Sequence, residues 1–446
     1  MVHTHPLLCY YITQGPCYFV SGTIFGVRPL SDGWKTWTCR TELPLNFDCA
    51  ALSVPTPRGP IEIEFNFDHS LTISVPNETT LLADGKEFVG PQKLVLPSFR
   101  PDPSRTIDTC TVAEWSRPYR NWDYYPHLVI PAEPNIPGCE GIHMTDVPTV
   151  YQVPGEENKN KWYMSFIGFD GNGYQSFVAE SSDLVNWTNF RLAFGFGDEG
   201  DFDFGGRVLG GYLLERYDVN APRVLKRMKG KFWCLYGAYS KRGGYEIDPG
   251  FEGVCVSEDG ITWSRAVDHP ILSVNDEDTK PWESGSIYQP WLLHHDGMFY
   301  NYYNAKRMPE WLEQIGVATS TDLIDWKRSI DNPIVKVLPD EFDSQFCSDP
   351  KVYRDGDHWV MFYFGLGKEG KASIMVAFSH DLMHWTKDKS PLYQAGGHPK
   401  NLDNQHAHKT SLVYNASNKT YYLYYCAVGS KGRGIGLVTS RALCDH

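Results

Sequence analysis

A phrase repeated five times between Thr145 and the C-terminus restricts this chain to very few architectures. Each copy opens on a short segment that leads into an apolar or β-branched run: Thr145-Asp146-Val147-Pro148-Thr149-Val150-Tyr151, Asn220-Ala221-Pro222-Arg223-Val224-Leu225, Tyr288-Gln289-Pro290-Trp291-Leu292-Leu293, Ser348-Asp349-Pro350-Lys351-Val352-Tyr353, and Ala407-His408-Lys409-Thr410-Ser411-Leu412-Val413-Tyr414. The fifth copy lacks the proline. A turn rich in Gly, Asp, Asn or Lys comes next, then an aromatic run at 162–166, 232–236, 299–303, 359–363 and 421–425. Four copies close on Ser-x-Asp-Leu-x-x-Trp or a near variant, ending at Trp187, Trp263, Trp326 and Trp385.

The prolines at 148, 222, 290 and 350 stand 74, 68 and 60 residues apart, too far for a helical solenoid and suited to a four-stranded propeller blade. The runs are rich in Val, Ile, Tyr, Phe and Trp, and their turns carry hairpin-type Asp-Gly or Lys-Gly pairs. The sequence therefore predicts an all-β fold built on a five-bladed β-propeller. Its fifth copy ends after Ile435-Gly436-Leu437-Val438-Thr439-Ser440, without the tryptophan and the strand that follows it. Asn121-Trp122-Asp123 and residues 124–130 resemble that missing piece. A strand from ahead of the first blade is thus expected to close the ring, because an open blade would expose unpaired backbone.

A propeller over 111–446 leaves 1–110 for a small β-rich accessory domain, sandwich-like in its patterning. Ile61-Glu62-Ile63-Glu64-Phe65-Asn66-Phe67 and Leu71-Thr72-Ile73-Ser74-Val75 alternate as a hairpin would. Pro97, Pro101 and Pro103, with no strand-like alternation between them, put the linker at 95–104. A net charge of −13 disfavours a nucleic-acid partner, since such binding needs Lys and Arg to neutralise phosphates. No apolar run is long enough to span a membrane. The apolar patch at 7–20 is broken by Gln14, Gly15 and Pro16 and has no preceding Lys or Arg, so it reads poorly as a secretion signal. A cytoplasmic chain is expected, with secretion of a processed form left open. The 11 cysteines are odd in number and show no Cys-x-x-Cys spacing, which makes a disulfide framework and a zinc ribbon poor readings and predicts mostly free, buried thiols.

In a propeller the inner strands of all blades converge on one axis, so polar residues at the repeat starts face a common funnel. Those residues are Asp146, Asn220, Arg223, Gln289, Trp291, Asp349, Lys351, His406, His408 and Lys409. Any one acidic residue before a strand can simply cap a turn. Several at one repeat position are harder to account for in that way. The His406-Ala407-His408 pair has no third ligand at recognisable spacing and fits hydrogen bonding to a sugar better than a metal.

The phrases Thr145-Asp146-Val147-Pro148, Asn220-Ala221-Pro222-Arg223-Val224 and Ser348-Asp349-Pro350-Lys351-Val352, with the repeated Ser-x-Asp-Leu-x-x-Trp, resemble those of the five-bladed glycosidase superfamily that includes glycoside hydrolase families 43, 32, 117 and 130. The resemblance covers about 330 residues and implies acid/base cleavage of a glycosidic bond in an oligosaccharide or glycoside, without a cofactor; a funnel closed by a propeller floor favours a terminal sugar. It implies an acidic residue in the first blade, a second carboxylate two blades on, and a glutamate acid one blade beyond that. Asp146 matches the first position, as base or nucleophile. Gln289 stands where the second carboxylate is usual, and Asp349 where the glutamate is usual.

Glu283, in Lys280-Pro281-Trp282-Glu283-Ser284-Gly285-Ser286, is the alternative acid and is preferred to Asp349 for its Trp282 neighbour and its loop position, and its Trp-Glu pair is similar to the Trp-Glu-Cys phrase of the fructosidase-like family. It reads equally as a solvated loop glutamate. Trp282 and Trp291 are candidates for stacking on sugar faces, although core packing accounts for most aromatics here. Arg223, Lys351, Lys409 and His408 form a basic set that suits an anionic ligand, such as a uronate or inorganic phosphate, or else pairs with the carboxylates to orient them. A phosphate-dependent phosphorylase and a non-catalytic sugar-binding propeller are the competing readings.

Overall fold

The computed structural model describes residues 27–39, 50–65, 70–83, 86–97, 107–155, 158, 160–367, 369–441 and 443. The chain divides into two compact units, 1–106 and 107–446. In the first lie β1 (Arg28–Pro29), β2 (Thr36–Thr38), β3 (Ala50–Val54), β4 (Ile61–Phe65), β5 (Ser70–Val75), β6 (Thr80–Ala83), β7 (Lys86–Val89) and β8 (Gln92–Pro97). They form two four-stranded sheets, ordered β1-β2-β6-β7 and β3-β4-β5-β8. Alternation along β4 and β5 points Ile61, Ile63, Ile73 and Val75 into one buried cluster with Trp37 and Leu81 of the other sheet. The expected hairpin is the antiparallel β4–β5 pair. The expected linker starts later than 95, because β8 stays paired with β5 as far as Pro97. Residues 98–106, and the apolar patch at 7–20, lie outside the described residues.

The second unit begins with a helix, Thr109–Ser116, capped by the Asp108 carboxylate, which accepts from the Cys110 and Thr111 amides. After β9 (Asp123–Tyr124) come four-stranded antiparallel meanders. The first holds β10 (Met144–Tyr151), β11 (Trp162–Phe169), β12 (Tyr174–Ser181) and β13 (Thr188–Phe194). The next holds β14 (Gly206–Tyr212), the two-residue β15 (Arg227–Met228), β16 (Lys231–Tyr239), β17 (Gly250–Ser257) and β18 (Ser264–Arg265). Two more follow the same plan: β19 (Ser286–His295), β20 (Met298–Arg307), β21 (Leu312–Ser320) and β22 (Lys327–Arg328), then β23 (Phe346–Asp355), β24 (His358–Leu366), β25 (Ala372–Ser379) and β26 (Thr386–Lys387). The last comprises β27 (His406–Asn415), β28 (Thr420–Gly429) and β29 (Gly432–Thr439), and its fourth strand is β9, with Tyr124 opposite Val438 and Asp123 opposite Thr439. Ring closure by a strand from ahead of the first meander is therefore present in the fold.

The Ser-x-Asp-Leu phrase is a turn between third and fourth strands. The aspartate accepts from the two amides that come second and third after it, as Asp183 does from Val185 and Asn186 and Asp322 from Ile324 and Asp325. The serine hydroxyl accepts from the leucine amide. That leucine is left-handed, with φ 68° at Leu184, 74° at Leu323 and 70° at Leu382. Gly260 takes this position in the second copy, at φ 74°, where a Cβ would come within 2.9 Å of Val153.

Every first strand carries a register shift at one repeat position: Asp146/Thr149, Leu209/Gly211, Tyr288/Trp291, Ser348/Lys351 and His408/Thr410. In four of them the shifted residue is left-handed, with φ 52° at Val147, 61° at Gln289, 53° at Asp349 and 54° at Lys409. Bulges of this kind re-aim side chains. They also correct one expectation. The first strand of the second meander is Gly206–Tyr212, so Asn220-Ala221-Pro222-Arg223 is a later loop and Arg223 is not at an inner-strand start.

Candidate functional site

First and third strands run in the same direction, so both begin at one end of the meanders, and Asp146 sits there near the start of β10. Its side chain is 1% exposed. Lys409 Nζ lies 2.8 Å from Oδ2, the Arg433 guanidinium contacts the same oxygen, and Oδ1 accepts from the Val147 amide at 2.8 Å. Burial alone would raise this carboxyl; Arg433 above all, then Lys409, reverse the effect and hold it far below the usual carboxylate range. His408 Nδ1 is 4.0 Å from Oδ1, and burial keeps this ring neutral by pulling its pKa well below 6.5. His406 is half-buried and accepts from the Ala372 amide at 3.0 Å.

Asp349 is equally buried, with Lys351 Nζ 2.7 Å from Oδ1 and Oδ2 without a hydrogen-bond partner. Burial raises its pKa against the pull of Lys351 and Lys409. Gln289, 3% exposed, likewise keeps a buried Oε1 without a partner. Asp146, Asp349, Lys351, Lys409, Gln289 and His408 thus all lie near the starts of the first strands.

Four further residues of this group escaped the sequence reading. Glu313, the second residue of β21, is 3% exposed and accepts from Tyr288 Oη at 2.5 Å, Trp311 Nε1 at 2.9 Å and Asn304 Nδ2 at 3.2 Å. Burial, and then the charge of Glu246, push it up from the ordinary glutamate value. Glu246 lies on the loop 240–249 between β16 and β17, half-buried, where its charge acts on Glu313, Lys409 and Tyr288. Tyr245 precedes it and accepts from Arg433 Nη1 at 2.7 Å. Arg433 is the second residue of β29, the same repeat position as Glu313 in β21. The signal that marks them is an ionisable residue at the second position of a third strand, together with an unusually long loop. Both lie outside the repeated phrases that announce the first strands.

Glu283 requires correction. Oε1 accepts from Tyr303 Oη at 2.5 Å, and Oε2 accepts from the Lys280 amide at 3.0 Å and lies 3.2 Å from Arg328 Nε. The arrangement recurs. Asp203, Glu283, Asp343 and Asp403 each stand three residues ahead of a first strand, each buried and each accepting from a second-strand tyrosine: Tyr236 at 2.8 Å, Tyr303, Tyr363 at 2.8 Å and Tyr425 at 3.0 Å. In three of them the fourth strand adds a cation, Arg265, Arg328 or Lys387. Glu283 belongs to this latch between strands, with both oxygens occupied. Trp282 is buried and stacks on Tyr303 at 5.9 Å, and Trp291 is buried with Nε1 donating to the Val352 carbonyl. Both are core residues, closed to a sugar face.

Arg223 lies elsewhere. Its guanidinium donates to the carbonyls of Leu412, Asp218 and Val219 and rests 4.5 Å from the Tyr353 ring centre. Leu412 is six residues past the start of β27, roughly 20 Å along the strand. Arg223 therefore fills the far end of the inner strands. Asp146, His408 and Cys426 place donor atoms within 4.8 Å of one another. They fit a cation poorly, because two cations already sit on Asp146 and burial keeps the Cys426 thiol protonated. Cys234, Cys255, Cys347 and Cys426 are free and buried, as expected.

Residues 215–404 match the model of the glycosyl hydrolases family 32 N-terminal domain, and residues 26–83 match that of the bacterial alpha-L-rhamnosidase C-terminal domain. No curated protein sequence matches the chain. Among solved structures, a glycoside hydrolase is similar at 25% identity and TM-score 0.65, over 75% of this chain and 96% of its own. A complex of BT0996 with RGII is similar at 25% identity and TM-score 0.65, over 76% and 97%. The beta-1,2-mannobiose phosphorylase from Listeria innocua, at 10% identity and TM-score 0.50 over 71% and 96%, shares the fold alone.

Proposed function

We propose that this propeller glycosidase acts on chain ends, with Glu313 as general acid and Glu246 as the second carboxylate, on a five-bladed ring to which the first unit is accessory. The observation that carries the reading is a buried glutamate, raised by its surroundings, beside a second glutamate at the open end of the strands. A neutral carboxyl at Glu313 gives its proton to the glycosidic oxygen as the bond from that oxygen to C1 breaks and the electron pair stays with oxygen. Positive charge then builds on the sugar ring. Glu246, whose carboxylate has no hydrogen-bond partner among the described residues, meets that charge by deprotonating a water that attacks C1 or by bonding to C1 itself. The anomer released first, read by NMR, tells which.

Asp146, its oxygens taken by Lys409, Arg433 and a backbone amide, suits an electrostatic anchor better than a base: a carboxylate so strongly depressed is a weak proton acceptor. Asp349 and Gln289 keep unpartnered buried oxygens that can accept from sugar hydroxyls. The cations Lys351, Lys409 and Arg433 are each already engaged by a carboxylate, Asp349 or Asp146, which supports a neutral terminal sugar over a uronate and a hydrolase over a phosphorylase. The Arg223 plug at the far end supports action on chain ends rather than on a threaded polymer.

Glu313→Gln should lower turnover of an oligosaccharide by about 100-fold or more, and cleavage of a 4-nitrophenyl glycoside, whose leaving group needs little protonation, far less. RGII, named with one of the similar structures, supplies the first members of the oligosaccharide panel, run with and without phosphate. Equal losses on both substrate types would remove Glu313 from the acid role, and strict phosphate dependence would make the protein a phosphorylase.

A further inference from the structure

Loop 240–249 joins β16 to β17 and reaches across the open end of the meanders. It is tied to the first meander where the Gly243 amide donates to the Asn172 carbonyl and the Glu246 amide donates to Tyr174 Oη at 3.1 Å. The third meander holds it through Asp248, which accepts from Ser286 Oγ and pairs with Lys306. The last meander holds it through Tyr245, whose hydroxyl accepts from Arg433. The ring of Tyr245 meets Phe169 and Tyr174 edge-on, at 5.9 and 6.1 Å between centres, and still remains 43% exposed. An aromatic ring is thus fixed at its hydroxyl, with the Arg433 guanidinium 5.5 Å from its centre, and still stays partly exposed immediately before Glu246 in the chain.

We propose that Tyr245 is a substrate-positioning residue, a stacking platform for the second sugar of the substrate, the one that departs as leaving group. The proposal rests on the Glu313 and Glu246 reading for the place of bond cleavage. Depth assigns the subsite. The terminal sugar reaches the buried Asp349 and Gln289 oxygens, so the ring beyond the scissile bond lies outward, at the level of the exposed phenol. Sugar faces with their C–H bonds outward pack on such a surface, and a ring already immobilised loses little freedom when it is covered. Arg433 has a double part here, because the guanidinium that fixes the phenol also contacts Asp146. Platform and anchor are held by one side chain.

The test compares two substrates of the same terminal sugar: a disaccharide that the wild type cleaves, and the corresponding methyl glycoside, which has no second ring. Tyr245→Ala should raise KM for the disaccharide by about 3- to 10-fold more than it raises KM for the methyl glycoside, the range for one lost stacking contact. Tyr245→Trp should restore the disaccharide KM to within about threefold of wild type. Should the alanine variant melt well below wild type, Tyr245→Leu, which keeps an apolar contact with Phe169, carries the same expectation. Equal changes in KM on both substrates, no change on either, or a tryptophan variant as impaired as alanine would each overturn the proposal. Failure of the acid assignment is read separately, from Glu313→Gln on the disaccharide with Tyr245 intact.

Discussion

Glu283 and Glu313 are both buried glutamates near strand starts, and their neighbours separate them. Both carboxyls accept on both oxygens, but Glu283 faces a guanidinium, whereas Glu313 receives only neutral donors and faces another carboxylate. Glu283→Gln should therefore leave kcat within about threefold, while leaving Arg328 short of one partner should cost about 1–3 kcal/mol of stability, read by denaturant titration. A third buried glutamate makes a pH prediction. Burial pushes Glu252 up to about 8, with Asn301 Nδ2 as its donor. Between an unfolded value of about 4.5 and that folded value the native state holds a proton that the unfolded chain has released, so this residue lowers stability progressively as pH rises through the window. The melting temperature of Glu252→Gln should exceed that of wild type by more at pH 8 than at pH 5; an equal difference at both would contradict the assignment. Sequence could single out Asp146, Lys351, Asp349 and Lys409 because a repeat start is visible as text. Glu313 and Arg433 were hidden because their strands follow the aromatic runs without a phrase of their own, and Tyr245 and Glu246 because a loop's reach is a property of three dimensions.

At the level of elements, the repeated phrases have separable physical jobs, and the sequence showed the phrases more plainly than the jobs. The aromatic runs are second strands, and the Ser-x-Asp-Leu phrases are left-handed turns. The phrase at Asn220 misled because it shares the proline of the first-strand starts while the actual strand, Gly206–Tyr212, offers Val-Leu-Gly-Gly and no proline. Bulge position, not proline, is what the first strands have in common, and a bulge leaves no residue signature. The same distinction governs a consensus design. Replacing Gly260 by leucine would make the second copy read like the others, yet its added carbons meet Val153 at 2.9 Å and Leu225 at 3.0 Å. Gly260→Leu should destabilise by about 1–3 kcal/mol, the range for overpacking, and lower the melting temperature.

For the molecule as a whole, ring closure can be tested by truncation. A chain starting at residue 107 keeps the capped helix and β9, and should be soluble with one cooperative melt. A chain starting at 132 removes β9 and leaves β29 with an unpaired edge, which should aggregate. Equal solubility of the two would show that the β9–β29 pairing is dispensable. That pairing also sets a timetable for the cell. Its two strands lie roughly 300 residues apart in the chain, so at ribosomal speeds of about 5–20 residues per second the first waits on the order of 15 to 60 s for its partner to be synthesised. Throughout that interval the nascent protein carries an aromatic, strand-forming sequence that cannot yet be completed, and its safe production rests on whatever shields that edge until the last strand emerges.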